Sequence, residues 1–387
     1  MNTKEIDKEY IAPTYARFDL ELVSGKGSRV FDDAGREYID LATGIAVNTF
    51  GVSDDEWVAA VTAQLGKVQH TSNLYYSEPC ARLAELLCKK SGAKKVFFGN
   101  SGAEANECAI KVARKWAQDK KGEGDYNIIT LKNSFHGRTI TTLAATGQDV
   151  FHTNFGPFPS GFLYAEANDA ESVRALASAN PCAAIMMEPV QGEGGVLPLT
   201  PEFVKECRKI ADELDLLLIF DEVQTGNGRC GTLYAYEQFG VEADVVTTAK
   251  GLGGGLPIGA TLLFEKTEGV LGAGSHGSTF GGNPIAAAGA VNIISRIDEE
   301  LLRGVRERSK LIFDSLIGAP GIKGVSGLGL MIGIETERPV GDVLSECMAK
   351  GILPIKAKNK LRLLPALNIP KEDLMRAIEI IKEVAGA

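Results

Sequence analysis

Two charged residues in this chain stand where apolar runs end. Leu216-Leu217-Leu218-Ile219-Phe220 stops on Asp221, which is followed by Glu222-Val223-Gln224. A second run, residues 244–248, leads through Ala249 to Lys250 and the turn Gly251-Leu252-Gly253-Gly254-Gly255. A carboxylate and an amine at the ends of buried strands can grip opposite poles of a small aromatic cofactor. The acid keeps a ring nitrogen protonated and the lysine condenses with an aldehyde carbon, the demands that pyridoxal phosphate makes of a protein. Once released, the same amine is a base able to carry a proton. Taken alone, the pair also admits a structural reading, with Asp221 capping a turn and Lys250 solvated on a loop.

The elements that must hold these groups follow from the pattern. Unbroken apolar runs recur at 127–131, 183–187, 216–220, 244–248 and 260–264, with helical spacing between several of them, as over 201–214. Strands apolar on both faces that alternate with helices predict an α/β domain, a mostly parallel sheet covered on both sides. Ligands of such sheets gather beyond the carboxyl ends of the strands. The residues of chemical interest mostly fall there: Gly102, then Phe135 and Arg138, Glu188 and Glu193, Asp221 and Gln224, and Lys250. Val96-Phe97-Phe98 feeds a glycine turn and then apolar residues at Ala105, Ala109, Val112, Ala113 and Trp116, the face of a helix. Ser101 with Glu104 has the form of a capping box, so the helix is expected to start here. A helix start beside a glycine turn offers free N–H groups to an anion, although a plain strand-to-helix turn would look the same.

Residues before 38 read as an arm carrying Tyr15 and a hairpin turning at Asp33-Ala34-Gly35. Helices are expected over 54–65 and 79–90, and Asn283-Pro284 opens an Ala-rich helical region reaching about residue 316. Beyond it come a strand (330–334), a helix (341–350), two short strands (352–355 and 360–364) and a last helix from Lys371. The expected division is an arm and part of a small domain over 1–50, and a large cofactor-binding domain over 51–285. The remainder of a small α+β domain, with a long connecting helix, then fills 286–387.

A chain of 387 residues exceeds the usual size of one compact core. Its net charge of -9 argues against a nucleic-acid or anionic-membrane partner, and no apolar run reaches the length of a membrane span. The seven cysteines form no C-x-x-C pair, and the four histidines are isolated, so a reducing, cytoplasmic setting without a metal site is expected.

Six motifs carry a resemblance that spans nearly the whole chain: Phe98-Gly99-Asn100-Ser101-Gly102-Ala103-Glu104-Ala105-Asn106, Phe135-His136-Gly137-Arg138-Thr139, Glu188-Pro189-Val190-Gln191-Gly192-Glu193, Phe220-Asp221-Glu222-Val223-Gln224, Ala249-Lys250-Gly251-Leu252-Gly253-Gly254-Gly255 and His276-Gly277-Ser278-Thr279-Phe280-Gly281-Gly282-Asn283-Pro284. In order and content the sequence resembles the class III aminotransferases, pyridoxal phosphate enzymes of fold type I. The resemblance implies Lys250 at the cofactor aldehyde, Asp221 at its ring nitrogen and Gln224 at its phenolic oxygen. It sets Val223 and Phe135 on the two ring faces and Ser101 with the backbone of Gly102 and Ala103 on the phosphate. Thr279 would reach the phosphate of a neighbouring subunit, which implies a homodimer. Ala103 stands where many members have threonine, so only an amide contact is carried over there.

On the substrate side the resemblance assigns Arg138 to the carboxylate far from the reacting centre. Arg362 takes the α-carboxylate of glutamate and is paired with Glu193 when that group is absent. Ser278 and Tyr15 complete the implied set. Ile45 replaces a tyrosine that would contact a free α-amino group, and an apolar residue suits an acylated nitrogen better. The implied substrates are acetylornithine and 2-oxoglutarate, with glutamate as a product, and succinylornithine is the alternative to acetylornithine. A dinucleotide-binding oxidoreductase is disfavoured because the 251–255 turn lacks the final glycine of G-x-G-x-x-G. A catalytically silent relative is disfavoured by the retention of both Lys250 and Asp221.

Overall fold

The computed structural model describes residues 1–124 and 126–387. Its centre is a seven-stranded sheet in the order Lys95–Gly99, Gly259–Leu263, Val245–Thr248, Leu217–Asp221, Cys182–Met187, Asn127–Leu131, Phe162–Ala165. Gly259–Leu263 runs antiparallel to both neighbours, and the pairings among the following five strands are parallel. The apolar runs are continuous because both faces are covered. Ile129, Ile185, Leu218 and Phe220 pack to one side with the helices Glu78–Ser91, Pro201–Glu213 and Pro284–Arg296. Ile128, Met186, Leu217 and Ile219 pack to the other, against Val112, Ala113 and Trp116 of the helix Gly102–Lys121.

Segments from both ends of the chain share a second core. One four-stranded sheet joins Leu22–Lys26, Arg29–Asp32 and Glu37–Asp40 to Ile352–Leu353, and another joins Ile322–Leu328, Met331–Thr336, Lys360–Leu363 and Ile355–Ala357. Ile39 and Leu41 lie in one apolar cluster with Val305, Ile312, Ile332, Leu361 and Ile378.

Three sequence expectations are corrected. The helical region after Asn283 is two helices, Pro284–Arg296 and Glu299–Leu316, because Asp298 caps the second by accepting from Leu301 N at 2.9 Å. The first belongs to the large sheet's core, through Ala286, Ala290 and Ile293, so we propose a domain limit nearer 297 than 285. The capping box at Ser101 is only half formed. Ser101 Oγ accepts from Glu104 N at 3.2 Å, but the Glu104 carboxylate turns to Asn100, accepting from its N at 2.5 Å and its Nδ2 at 2.8 Å. Finally, the Ile322–Leu328 and Phe162–Ala165 strands have no counterpart in the sequence reading, the first being half-buried throughout most of its length and containing two glycines.

Candidate active site

A cavity of about 390 Å³ opens beyond the carboxyl ends of the central strands. Its lining includes Ser101, Gly102, Ala103, Phe135, Arg138, Glu188, Asp221, Val223, Gln224 and Lys250, so ten of the residues singled out in the sequence converge there. Asp221 ends its strand in register with Thr247, and Lys250 follows the next strand's last residue, Thr248, by two positions. Neighbouring parallel strands thus bring together an acid and an amine 29 residues apart in sequence.

The Asp221 carboxylate is 3% exposed and tied down on most sides. Its Oδ2 accepts from Asn106 Nδ2 at 2.8 Å and from His136 Nδ1 at 2.7 Å, while Oδ1 accepts from Val223 N at 3.1 Å. Thr247 Oγ1 stands 3.5 Å from Oδ1 but has one proton, which its 2.7 Å contact with Asn106 Oδ1 takes, so Oδ1 keeps room for another donor. Burial alone would lower the pKa of His136, whose ring is fully enclosed, but the hydrogen bond and charge of Asp221 outweigh it and raise it. Neither Asn106 nor His136 was singled out from the sequence. Each bond to Asp221 spans 85 residues or more, and the only signal was that both lie inside motifs already quoted.

Lys250 sits in the left-handed region (φ 44°), a conformation that costs a non-glycine residue about 1–3 kcal/mol and survives only where the surroundings impose it. Among the described residues its amine makes no hydrogen bond and no ion pair. Burial pulls its pKa below the ordinary lysine value, opposed by the charges of Glu193 and Asp221.

Gly102 begins a 20-residue helix, and a Cβ there would meet Val223 Cγ1 at 2.6 Å, so only glycine lets the two segments approach. The N–H groups of Gly102 and Ala103 open the helix and point their dipole toward the cavity they line. Glu188, fully buried, fixes Phe135 by accepting from its N–H at 2.9 Å, and burial pushes the Glu188 carboxyl up to about 7.

Arg362 and Glu193 are paired at 2.6 Å, 169 residues apart in sequence. Arg362 Nη1 also donates to Gln224 Oε1 at 3.1 Å; because arginine only donates, the Gln224 carbonyl faces it and the amide NH2 is left as a donor. Burial alone would raise the Glu193 carboxyl, but the adjoining Arg362 charge outweighs it and holds it below its ordinary value.

Other expected residues are placed elsewhere. Tyr15 is 73% exposed on the arm, against Arg17, and Thr279 is exposed; neither lines the cavity. Ser278 is one step removed, receiving a hydrogen bond from the cavity residue Asn100 at 3.1 Å. Ile45 lines a neighbouring apolar groove with Phe18 and Leu22, and Val47 is the residue of that segment that faces the cavity.

Pyridoxal phosphate fits what this site offers: a carboxylate with spare capacity, an unpartnered amine, a helix start for the phosphate and apolar walls at Phe135 and Val223. The sequence profile of the aminotransferase class-III family matches residues 10–385. The chain is 49% identical over 383 residues to the acetylornithine aminotransferase of Haemophilus ducreyi, covering 98% of each. It is 43% identical to the succinylornithine transaminase of Citrobacter koseri, covering 97% of this chain and 95% of the relative. Among solved structures, N-acetylornithine aminotransferase from Stenotrophomonas maltophilia superposes with a TM-score of 0.85 at 38% identity, covering 98% of this chain and 97% of that one. An ornithine aminotransferase from Toxoplasma gondii superposes with a TM-score of 0.95 at 31% identity, covering 100% and 95%. With a family profile over nearly the whole chain and a relative at 49% identity over nearly its full length, this chain belongs to the class-III aminotransferases and is a pyridoxal-phosphate-dependent enzyme.

Proposed function

We propose that the enzyme moves the terminal amino group of N2-acetylornithine to 2-oxoglutarate, giving N-acetylglutamate 5-semialdehyde and glutamate, a step of arginine biosynthesis. The observation that carries this reading is the pair of arginines at the site, one without an ionic partner (Arg138) and one already paired (Arg362 with Glu193). The two amino donors differ in the group beside the reacting carbon: acetylornithine has none there, whereas glutamate carries its α-carboxylate. With Glu193 in place the Arg362 charge is neutralised and an uncharged chain is tolerated. When Glu193 turns away, Arg362 is free to take the α-carboxylate in bidentate fashion. Arg138 serves both substrates by holding the carboxylate at the far end.

Pyridoxal phosphate, when bound, supplies the electron sink that makes the proton on the amine-bearing carbon removable. Asp221, held in place by Asn106 and His136, would sit beside the ring nitrogen and balance a positive charge there. Lys250 would act as the base that takes the proton from the substrate carbon, and burial, which pulls its pKa below the ordinary lysine value, favours that role. Ser101, Gly102 and Ala103 would hold the phosphate. Gln224 would donate to the ring oxygen, and Phe135 and Val223 would fix the ring's orientation from its two faces.

We further propose a cytoplasmic homodimer in which Thr279, which does not line the cavity of its own chain, contacts the phosphate in the adjoining subunit; Ser278 and Tyr15, the other implied substrate contacts, also lie outside that cavity. No helix among the described residues is long and apolar enough to cross a membrane. Succinylornithine is the second reading, favoured by the Citrobacter koseri relative. Turnover of acetylornithine, succinylornithine, ornithine and 4-aminobutyrate, each with 2-oxoglutarate, tests the assignment. The highest kcat/KM should be for acetylornithine, and a preference for free ornithine or 4-aminobutyrate would overturn it.

A further inference from the structure

Arg138 makes no hydrogen bond and no ion pair among the described residues, yet a lone guanidinium on a loop should wander. What holds it is aromatic. Its Cζ lies 4.2 Å from the centroid of the Phe151 ring and 5.5 Å from that of Phe135, and the two rings meet edge to face at 5.7 Å. A cation over a ring face is attracted without using an N–H donor, so the donors of Arg138 stay free for a ligand.

The Phe151 ring is itself fixed to the segment that carries Phe135. Residues Asp149–Phe151 form a single 3-10 turn, closed by Phe151 N donating to Gln148 O at 3.0 Å. Gln148 Nε2 donates to Ser134 O at 3.0 Å, and Gly147 N donates to Ser134 Oγ at 3.0 Å. Ser134 is buried and directly precedes Phe135, whose own N–H is held by the buried Glu188. Ring, ring and guanidinium therefore form one unit anchored through adjacent residues.

We infer that Phe151 is a positioning residue for carboxylate recognition: it stacks on Arg138 and aims its unpaired donors at the distal carboxylate of each substrate. This rests on the proposed role of Arg138. The contrast with Arg362 supports it, since that arginine is positioned by a carboxylate and an amide and must give up the carboxylate before it can bind another. An aromatic partner need not be displaced by an anion.

Phe151→Leu, Phe151→Tyr, Arg138→Ala and the Phe151→Leu/Arg138→Ala double variant of the holoenzyme test this. Phe151→Leu should raise KM for both acetylornithine and 2-oxoglutarate by about three- to ten-fold, with a much smaller change in kcat, and Phe151→Tyr should restore KM. The absorption of the bound cofactor should not move, because the effect lies away from the ring. In the Arg138→Ala background, removing the Phe151 ring should raise KM no further. A kcat loss equal to the KM effect, a displaced cofactor spectrum, or full additivity in the double variant would overturn the inference. If Arg138→Ala leaves both KM values unchanged, the carboxylate role of Arg138 fails and this inference with it. If Arg138→Ala raises KM and Phe151→Leu does not, only the role of Phe151 fails.

Discussion

The floor of the cavity and its rim are built on opposite principles. At the floor, Asp221 is almost fully enclosed and receives hydrogen bonds from Asn106, His136 and Val223, so its position is settled before any ligand arrives. At the rim, Arg138 is exposed and has no hydrogen bond or ion pair among the described residues, while Arg362 is buried against a Glu193 that is 30% exposed. The floor meets one cofactor in one orientation and gains from preorganisation. On the proposed function the rim accepts two substrates of different charge, which suits one arginine without an ionic partner among the described residues and another already paired with Glu193.

Changes at the floor should be the most damaging. Lys250→Ala should lower kcat by about 10⁴-fold, since no other amine stands ready to carry the proton, and borohydride should no longer leave a mass adduct at this position. Asp221→Asn keeps the shape but loses the charge, and should cost about 10²- to 10³-fold in single-turnover rate in both half reactions. A loss confined to one half reaction would erase the distinction between floor and rim. At the rim the losses should be smaller and selective. Arg362→Ala should weaken the glutamate half reaction by about 10- to 100-fold and leave the acetylornithine half less affected, whereas Arg138→Ala should weaken both to a similar degree. Equal loss in both halves for Arg362→Ala would contradict the proposed masking role of Glu193.

The smallest effect on turnover is expected one residue beyond the floor. Glu222 follows Asp221 but is occupied elsewhere, accepting from Thr225 Oγ1 at 2.5 Å and from Tyr236 N at 2.7 Å. Burial pushes its carboxyl up to about 7 from 4.5. In that interval the unfolded chain releases a proton that the folded chain retains, so stability falls as pH rises, by about 1.4 kcal/mol for each unit. Glu222→Gln should therefore flatten the decline in melting temperature between pH 5 and 7 while kcat stays within a few-fold. An unchanged slope would show that Glu222 is ionised in the fold.

The parts that were legible in sequence are local. Apolar runs without polar interruption announced the covered sheet, and an acid or lysine at the end of such a run announced the site, because a ligand beyond the strand ends is met by whatever residue comes next. The first turn after Ser101 was legible to half its extent, since the return bond of Glu104 went to Asn100. The helix break at Asp298 was missed because apolar spacing continues on both sides of it, although each helix packs in a different core.

By itself the sequence determined most of the strand and helix order, the residue types at the strand ends and, through its motifs, the family. Only the tertiary structure decided that His136 and Asn106 hold Asp221, that Phe151 covers Arg138 and that Tyr15 stands apart from the cavity. The reason is physical. Secondary structure and capping are set by neighbours a few positions away, whereas a buried hydrogen bond or a stacked ring depends on distance in space, which chain folding sets and spacing along the sequence does not record.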